Sequence, residues 1–547
     1  MVATVNPNAS SRRRGRPYRF PEDSSPLSRV HGGVEQRVAW LLSASRIHAN
    51  DPDMAHRDQF VERLKACGVA ADQARVSRWE SGAQRVPDRI VTAYEQVLGL
   101  AEQHLSAPIH GVRRSLDPDH EHIEPVNADA LKIHEDLDRL FEAVEPEEEG
   151  TESHGSDWLA LTNYLATHPQ IYMRDKSWTQ LAESLISQMG RAVGTAYIRR
   201  FEALRTLVRH PGAQRHVVKT IGAFVTDPAA QVVMHPLTLL QEVEHPRAGE
   251  LAIRMLATGS GMLQQGAAWT TAAKAVRGHF DAEALTQLES MVLMLLATHS
   301  RSLPEADLLD VAARLPEPAT RRILTALKDS PAGPRLEMLL RTGEVLPADV
   351  TRHVARQVAD QAQTATPAPF HVEPDLMLER LLREALFHGH QERRHQAAVL
   401  LSVSPYRPGL SKALAHVVER SDRAVAKRAA LLMRHLCTES ERDHLLTWAR
   451  DHRQPEVRRA AILSLGRLEE GLDHEEEQLV LASLDGAAPP LRRACIYALG
   501  MTASPALSRL ADTDADTDDA DFARRAAAWW RRTGPAIHEP STIGGQS

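Results

Sequence analysis

From about Trp158 to Gly534, apolar residues recur three and four positions apart, and Pro or Gly closes each run. That spacing puts them on one face of a 3.6-residue turn, so the pattern predicts helix after helix. Tyr197, Phe201, Leu204, Leu207 and Val208 form one such face, ended by Pro211-Gly212. Leu251, Met255 and Leu256, followed by Gly259, form another. Four shorter helices are predicted nearer the start of the chain. Val34 to Leu42 has Val34, Val38, Leu41 and Leu42 on one side, and Arg57 to Ala66 carries Phe60, Val61 and Leu64. A third runs from Asp72 to Ser81. A fourth, Asp88 to Leu98, is introduced by Pro87 at a helix-start position and stopped by Gly99.

In the last third the helices become a repeat. Lys427-Arg428-Ala429-Ala430, Arg458-Arg459-Ala460-Ala461, Arg492-Arg493-Ala494-Cys495 and Arg524-Arg525-Ala526-Ala527 align, their second basic residues 31, 34 and 32 apart. A weaker copy is Gln396-Ala397-Ala398. A helical pair of this length cannot bury its apolar face alone, and stacked neighbours supply the missing wall. The phrase Pro455-Glu456-Val457-Arg458-Arg459-Ala460-Ala461 resembles HEAT-type repeats, and Pro490-Leu491-Arg492-Arg493-Ala494 echoes it. The resemblance spans about 390–533 and implies an α-solenoid. A helical domain of the same kind is expected over 158–389.

Composition agrees with helices. The 547 residues are 43% hydrophobic, enough for a sizeable core and against wholesale disorder. Aromatic residues make up only 4%, a balance that suits helices better than strands. The expected fold class is therefore all-α. Cys67, Cys437 and Cys495 are far apart and fit no C-x-x-C pattern, which argues for a reducing compartment and against a disulfide scaffold. No apolar stretch follows the early arginines as a secretory signal would require. The longest, Met291 to Ala297, is far short of the roughly 20 residues of a membrane helix. A cytoplasmic protein is expected, nucleoid-associated if it binds DNA.

Formal net charge is −7, so any affinity for nucleic acid must come from a local basic region. Residues 1–100 hold 15 Lys and Arg against 11 Asp and Glu, leaving 50 against 61 for the rest. Glu145, Glu147, Glu148, Glu149 and Glu152 read as a solvated spacer.

Gly68-Val69, then Val76-Ser77-Arg78-Trp79-Glu80-Ser81-Gly82, then Pro87 and Leu98-Gly99-Leu100, resembles the Cro/cI-type (Xre family) helix-turn-helix. The likeness covers about 67 residues, and the Ser77-to-Gly82 string is its most specific part. Extra residues around Lys65–Cys67 and Ala70–Asp72, and a long Ile47-to-Ala55 loop, depart from the family pattern. The physics of major-groove entry agrees with the resemblance. Val76 and Trp79, three apart, would face the core, leaving Gln73, Arg75 and Arg78 outward. Gln suits adenine N6/N7 and Arg suits guanine O6/N7 in bidentate geometry. The resemblance implies base contacts from Gln73, Ala74 and Arg78, with Arg75 close by. It implies backbone contacts from Ser81, Gln84 and Arg85, with Arg57 expected to join them, and a structural role for Glu80.

Upstream, Arg14-Gly15-Arg16-Pro17 resembles an AT-hook, whose extended arm lays arginines in a narrow minor groove. Other chemistry is weak. His388, His390 and His395 lack metal-ligand spacing, so no metal or cofactor is expected. No P-loop and no nucleophile elbow occurs, and no enzyme is expected. The arginine pairs of the repeats read as ordinary surface residues packing their stems, or as a ladder along one solenoid face.

The expected organisation is a disordered basic arm over 1–30, a helix-turn-helix domain over 31–105 and an acidic linker over 106–157. A helical domain over 158–389, HEAT-like repeats over 390–535 and a disordered tail over 536–547 complete it. The function expected is a bacterial-type transcriptional regulator binding double-stranded DNA as a homodimer. Its body would sense a protein, peptide or small ligand, or mediate oligomerisation. The alternative is a helical-repeat scaffold whose head docks a protein.

Overall fold

The computed structural model describes residues 17–29, 31–117, 130–145, 152–297, 304–484, 486–512 and 518–542. Arg14, Gly15 and Arg16 of the arm, and Glu147, Glu148 and Glu149 of the acidic run, lie outside the described residues. Those residues are all-α, with only isolated bridges in extended backbone. None of their helices is long and apolar enough to cross a membrane.

The N-terminal region holds α1 (Val34–Ile47), α2 (Arg57–Ala66), α3 (Gln73–Glu80), α4 (Asp88–Val97) and α5 (Ser106–Leu116). Next come α6 (Ala130–Val144), α7 (Gly155–Thr167), α8 (Asp175–Arg191), α9 (Gly194–Leu207) and α10 (Gln214–Thr226). Then α11 (Met234–Thr238), α12 (Pro246–Thr258), α13 (Met262–Val276) and α14 (Ala282–Ala297) follow. The chain continues through α15 (Glu305–Arg314), α16 (Glu317–Ala326), α17 (Ala332–Thr342) and α18 (Ala348–Ala365). The last third contains α19 (Leu376–Phe387), α20 (Gln391–Val403), α21 (Arg407–Arg420), α22 (Arg423–Leu436) and α23 (Arg442–Asp451). It ends with α24 (Pro455–Leu465), α25 (His474–Ala482), α26 (Pro489–Met501), α27 (Ala506–Ala511) and α28 (Asp518–Thr533).

These last ten helices pair in sequence, and the second members stack in a row: α20 on α22, α22 on α24, α24 on α26, α26 on α28. The repeated small residues make that row close. Ala429, Ala430, Ala460, Ala461, Ala494, Cys495, Ala526 and Ala527 are all buried. A Cβ on Gly466 would stand 2.6 Å from the Ala498 Cα, so only glycine admits that neighbour.

The N-terminal helices are docked on the first pair of this stack, α19 and α20, rather than tethered to it. Trp40 Nε1 donates to Asp375 Oδ2 at 2.8 Å, and Arg37 Nη2 meets Glu384 Oε1 at 2.6 Å. Helix α5 packs against α9 and α20. The segment expected to open an acidic linker at 106 is therefore core: Ile109, Val112 and Leu116 continue a helical stripe from Leu105, and all four are buried.

Both ends of the described chain are also packed where disorder is expected. The Tyr18 N–H donates to the His371 carbonyl at 2.9 Å, Phe20 and Leu27 are buried, and Asp23 pairs with Arg37 and Arg380. At the other end, Ile537 N–H bonds the Arg191 carbonyl and Val193 N–H bonds the Ile537 carbonyl, both at 3.0 Å. The Glu539 carboxylate meets Arg199 at 2.7 Å and Arg200 at 2.5 Å. The Ala101 N–H donates to Ser541 O at 3.0 Å, so the tail links the end of the last repeat to the turn after α4.

The histidines first grouped by sequence also separate. His388 bonds the Leu27 carbonyl at 2.9 Å and His390 pairs with Asp310 at 3.0 Å, while His395 faces Tyr197. Among the described residues, no group of three or more His, Cys, Asp or Glu is placed to hold a metal ion.

Candidate nucleic-acid interface

Helix α3 begins because Asp72 caps it: the carboxylate accepts the Arg75 N–H at 2.7 Å. It ends at Ser81-Gly82, where Gly82 takes a φ of 72°. A Cβ there would approach the Glu35 carbonyl oxygen at 3.1 Å, so glycine lets the turn pass close under α1.

Between these ends the helix has two distinct faces. Val76 and Trp79 are buried against a core that includes Leu41, Phe60, Leu64 and Tyr94. Burial of each such side chain contributes roughly 1.5–3 kcal/mol. Gln73, Ala74, Arg75 and Arg78 are all exposed. Ala74 and Arg78 are four apart and Arg75 and Arg78 three apart, so they share one outward stripe.

Glu80 explains how so short a helix is held. It is 2% exposed and receives Arg46 at 2.5 Å and 2.9 Å, a two-pronged pair, with the Tyr94 hydroxyl donating at 3.2 Å. Arg46 also donates to the carbonyls of Met54 and Ala55, tying the loop before α2 into the same cluster. Burial alone would lower the Arg46 pKa, but the Glu80 carboxylate raises it above its ordinary value. Burial, helped by the Glu80 charge, pushes the Tyr94 hydroxyl well above its usual range. Arg46 went unmarked in the sequence. Its one signal is position: an arginine at the end of a helix whose other face is apolar.

The remaining positions expected to meet DNA divide. Ser81, Gln84 and Arg85 are exposed in the turn after α3. Arg78 Nε reaches Gln84 Oε1 at 3.4 Å, and Arg75 donates to the Ala70 carbonyl at 2.6 Å. Arg89, at the start of α4, is exposed as well. Arg57 is different. It lies 3.5 Å from Glu80 Oε2 and its guanidinium covers the Tyr18 ring at 5.7 Å, so its charge is already engaged. That stacking places Pro17 and Tyr18, and hence the point where residues 1–16 join, beside the first turn of α2.

No protein-family model matches the chain, and no curated protein sequence matches it either.

Proposed function

We propose that the protein is a sequence-specific DNA-binding transcriptional regulator of the Cro/cI helix-turn-helix type. In this reading α2 and α3 are the reading unit and α3 enters the major groove. Helices α19 to α28 form a HEAT-like solenoid that carries the sensing or assembly role, and the working form is a homodimer on a two-fold site. The observation that carries the reading is the exposed stripe Gln73, Ala74, Arg75 and Arg78 on a helix fixed from behind by Val76, Trp79 and Glu80. Base readout needs that combination: solvent-exposed donors on a rigid support. The basic arm would add phosphate affinity next to α2 and weaken with salt.

The test is recovery of genomic fragments by the purified full-length protein at near-physiological salt, followed by sequencing. A discrete, preferably palindromic motif that disappears in an Arg75→Ala/Arg78→Ala variant is the expected result. Uniform or absent enrichment would overturn it and favour a scaffold whose head docks a protein.

A further inference from the structure

Buried guanidinium groups in this molecule are, as a rule, matched by carboxylates. Arg205 meets Glu202, Glu242 and Glu392; Arg37 meets Asp23 and Glu384; Arg46 meets Glu80; Arg199 and Arg200 share Glu539. That is what the penalty for an isolated buried charge demands.

The rule has exceptions, Arg428 on the Leu386 carbonyl and Arg407 on the Leu436 and Cys437 carbonyls among them, and two more lie in one cleft. On one side of the stacked second helices, Tyr197 of α9, His235 of α11, His395 of α20, Arg434 and His435 of α22, and Arg467 just past α24 come together. The Tyr197 hydroxyl and His235 Nδ1 are 2.8 Å apart, and the His395 ring lies 6.2 Å from both Tyr197 and His435. Arg467 Nη1 reaches the Tyr497 hydroxyl of α26 at 3.5 Å. The two arginines and three histidines are each partly open to solvent. Yet the Nε atoms of Arg434 and Arg467, and of neighbouring Arg459, are shut away from water without a hydrogen-bond partner. Among the described residues, neither Arg434 nor Arg467 has a carboxylate within ion-pairing distance.

The Glu392 carboxylate acts on His395 and Tyr197 at one edge of this cleft, while the charges nearest Arg434 and Arg467 are positive. Burial, and then the positive Arg467 and Arg459, push Arg434 down to about 10. Burial, and then His395, Arg434 and Arg467, push His235 down to about 3. Arg434 and Arg467 offer only donors, and among the described residues no carboxylate pairs with either. A phosphate group offers what is missing: up to two negative charges and several acceptor oxygens that suit the planar guanidinium fork. The rings of Tyr197, His235, His395 and His435 follow one another at 5.1 to 6.2 Å, spacing that leaves no room for a nucleic-acid duplex, so the ligand must be small.

We propose that the cleft between Arg434 and Arg467 binds a small phosphate-bearing ligand. The two guanidinium groups take the phosphate, flanked by His235, His395 and His435. The proposal goes beyond the DNA-binding reading and stands whether or not α3 reads DNA.

Inorganic pyrophosphate is the probe, titrated calorimetrically into the full-length protein. Saturable binding is expected, weakened roughly tenfold or more by Arg434→Gln and by Arg467→Gln, as loss of a charge-assisted hydrogen bond predicts. The exposed Arg352→Gln should leave it unchanged. Because either cleft variant could disturb folding, the unaltered protein gives a second readout. Phenylglyoxal labelling of Arg434 and Arg467, followed by peptide mass spectrometry, should be suppressed by pyrophosphate. A nucleoside triphosphate that protects at lower concentration would identify a nucleotide as the source of the phosphate. Absence of binding and protection at millimolar pyrophosphate would overturn the proposal. So would protection no better than that given by sodium chloride of equal ionic strength, or protection by a short DNA duplex alone.

Discussion

Arginine appears in two opposite settings, on the outer face of α3 and in the cleft beside α22. On α3, Arg75 and Arg78 stand in water and meet local acceptors, the Ala70 carbonyl and the Gln84 side chain. Water and these acceptors satisfy them while no ligand is present, so an empty site carries little penalty. In the cleft, Arg434 and Arg467 hold sealed Nε atoms without partners, next to one another's charge. The difference teaches where a ligand supplies partners the protein lacks and where it only replaces water: at either site the gain in stability follows from mass action, and in the cleft the supplied partners add to the affinity that sets it.

The comparison breaks most visibly if the support behind α3 is not what holds it. Glu80→Ala leaves the Arg46 guanidinium buried and unpaired, and should cost roughly 3–5 kcal/mol. Urea denaturation followed by tryptophan fluorescence would register it, since Trp40 and Trp79 sit in this core. A loss below about 1 kcal/mol, within the range of surface ion pairs, would show that α3 does not depend on its rear clamp.

A second contrast lies at the docking surface, where two carboxylates near α19 titrate in opposite directions. Burial pushes Asp375 up to about 6, although the Leu378 N–H and Trp40 indole bond to it. Burial also opposes the charge on Glu384, but Arg37, Arg393 and Arg380 outweigh it and hold that group down to about 2. The signs follow from linkage. The Asp375 charge destabilises the fold fully above about 6, and that penalty fades as pH falls towards its ordinary 3.8. Glu384 stabilises the fold above its ordinary 4.5 and loses that contribution as pH falls towards 2. For these two groups, melting temperature should rise from pH 7 to about 5 and fall below about 4, the Asp375 part amounting to roughly 2–3 kcal/mol. Asp375→Asn should flatten the rise and keep the acid-side fall.

Binding variants sharpen the contrast between face and support. Arg78→Ala and Gln73→Ala should each weaken specific DNA binding by roughly 1–3 kcal/mol, with stability within about 0.5 kcal/mol of the parent. Arg57→Ala should do the reverse, because its charge is engaged with Glu80 and Tyr18. Fluorescence anisotropy beside thermal melting separates the two. If Arg57→Ala weakened binding with an unchanged melt, the outward stripe would have to include α2.

What could be read in advance was local. The helices expected at 57–66, 72–81 and 88–98 are seen at Arg57–Ala66, Gln73–Glu80 and Asp88–Val97 because amphipathic spacing and capping act over a few residues. The first helix runs on past Leu42 to Ile47, since Arg46 is buried by a partner 34 positions away, and no periodicity carries that information. The packed end segments are hidden for the same reason. Tyr18 finds His371, and Glu539 finds Arg199 and Arg200, across hundreds of residues. Helix α5 could have been found, because the stripe Leu105, Ile109, Val112 and Leu116 is as regular as any other. The cleft could not, because its members come from five separate stretches, and Tyr197 and His395 stood in two unrelated groups along the sequence.

The smallest expected effect tests how finely α3 is placed. Asp72 sits at its N-terminus with two opposed roles. Its carboxylate accepts the Arg75 N–H and fixes the first turn, where Gln73, Ala74 and Arg75 reside. The same charge is exposed on the side that DNA phosphates would approach. Asp72→Ala removes both and should lower stability by about 1 kcal/mol, the usual worth of an N-cap. Asp72→Ser keeps an acceptor for the cap and removes only the charge. Its stability should stay near the parent's while its DNA affinity rises, most clearly at low salt where phosphate repulsion is least screened. Equal affinities for Asp72→Ser and the parent across a salt series would mean that phosphate does not come near the start of α3, and the proposed docking face would have to turn away from it.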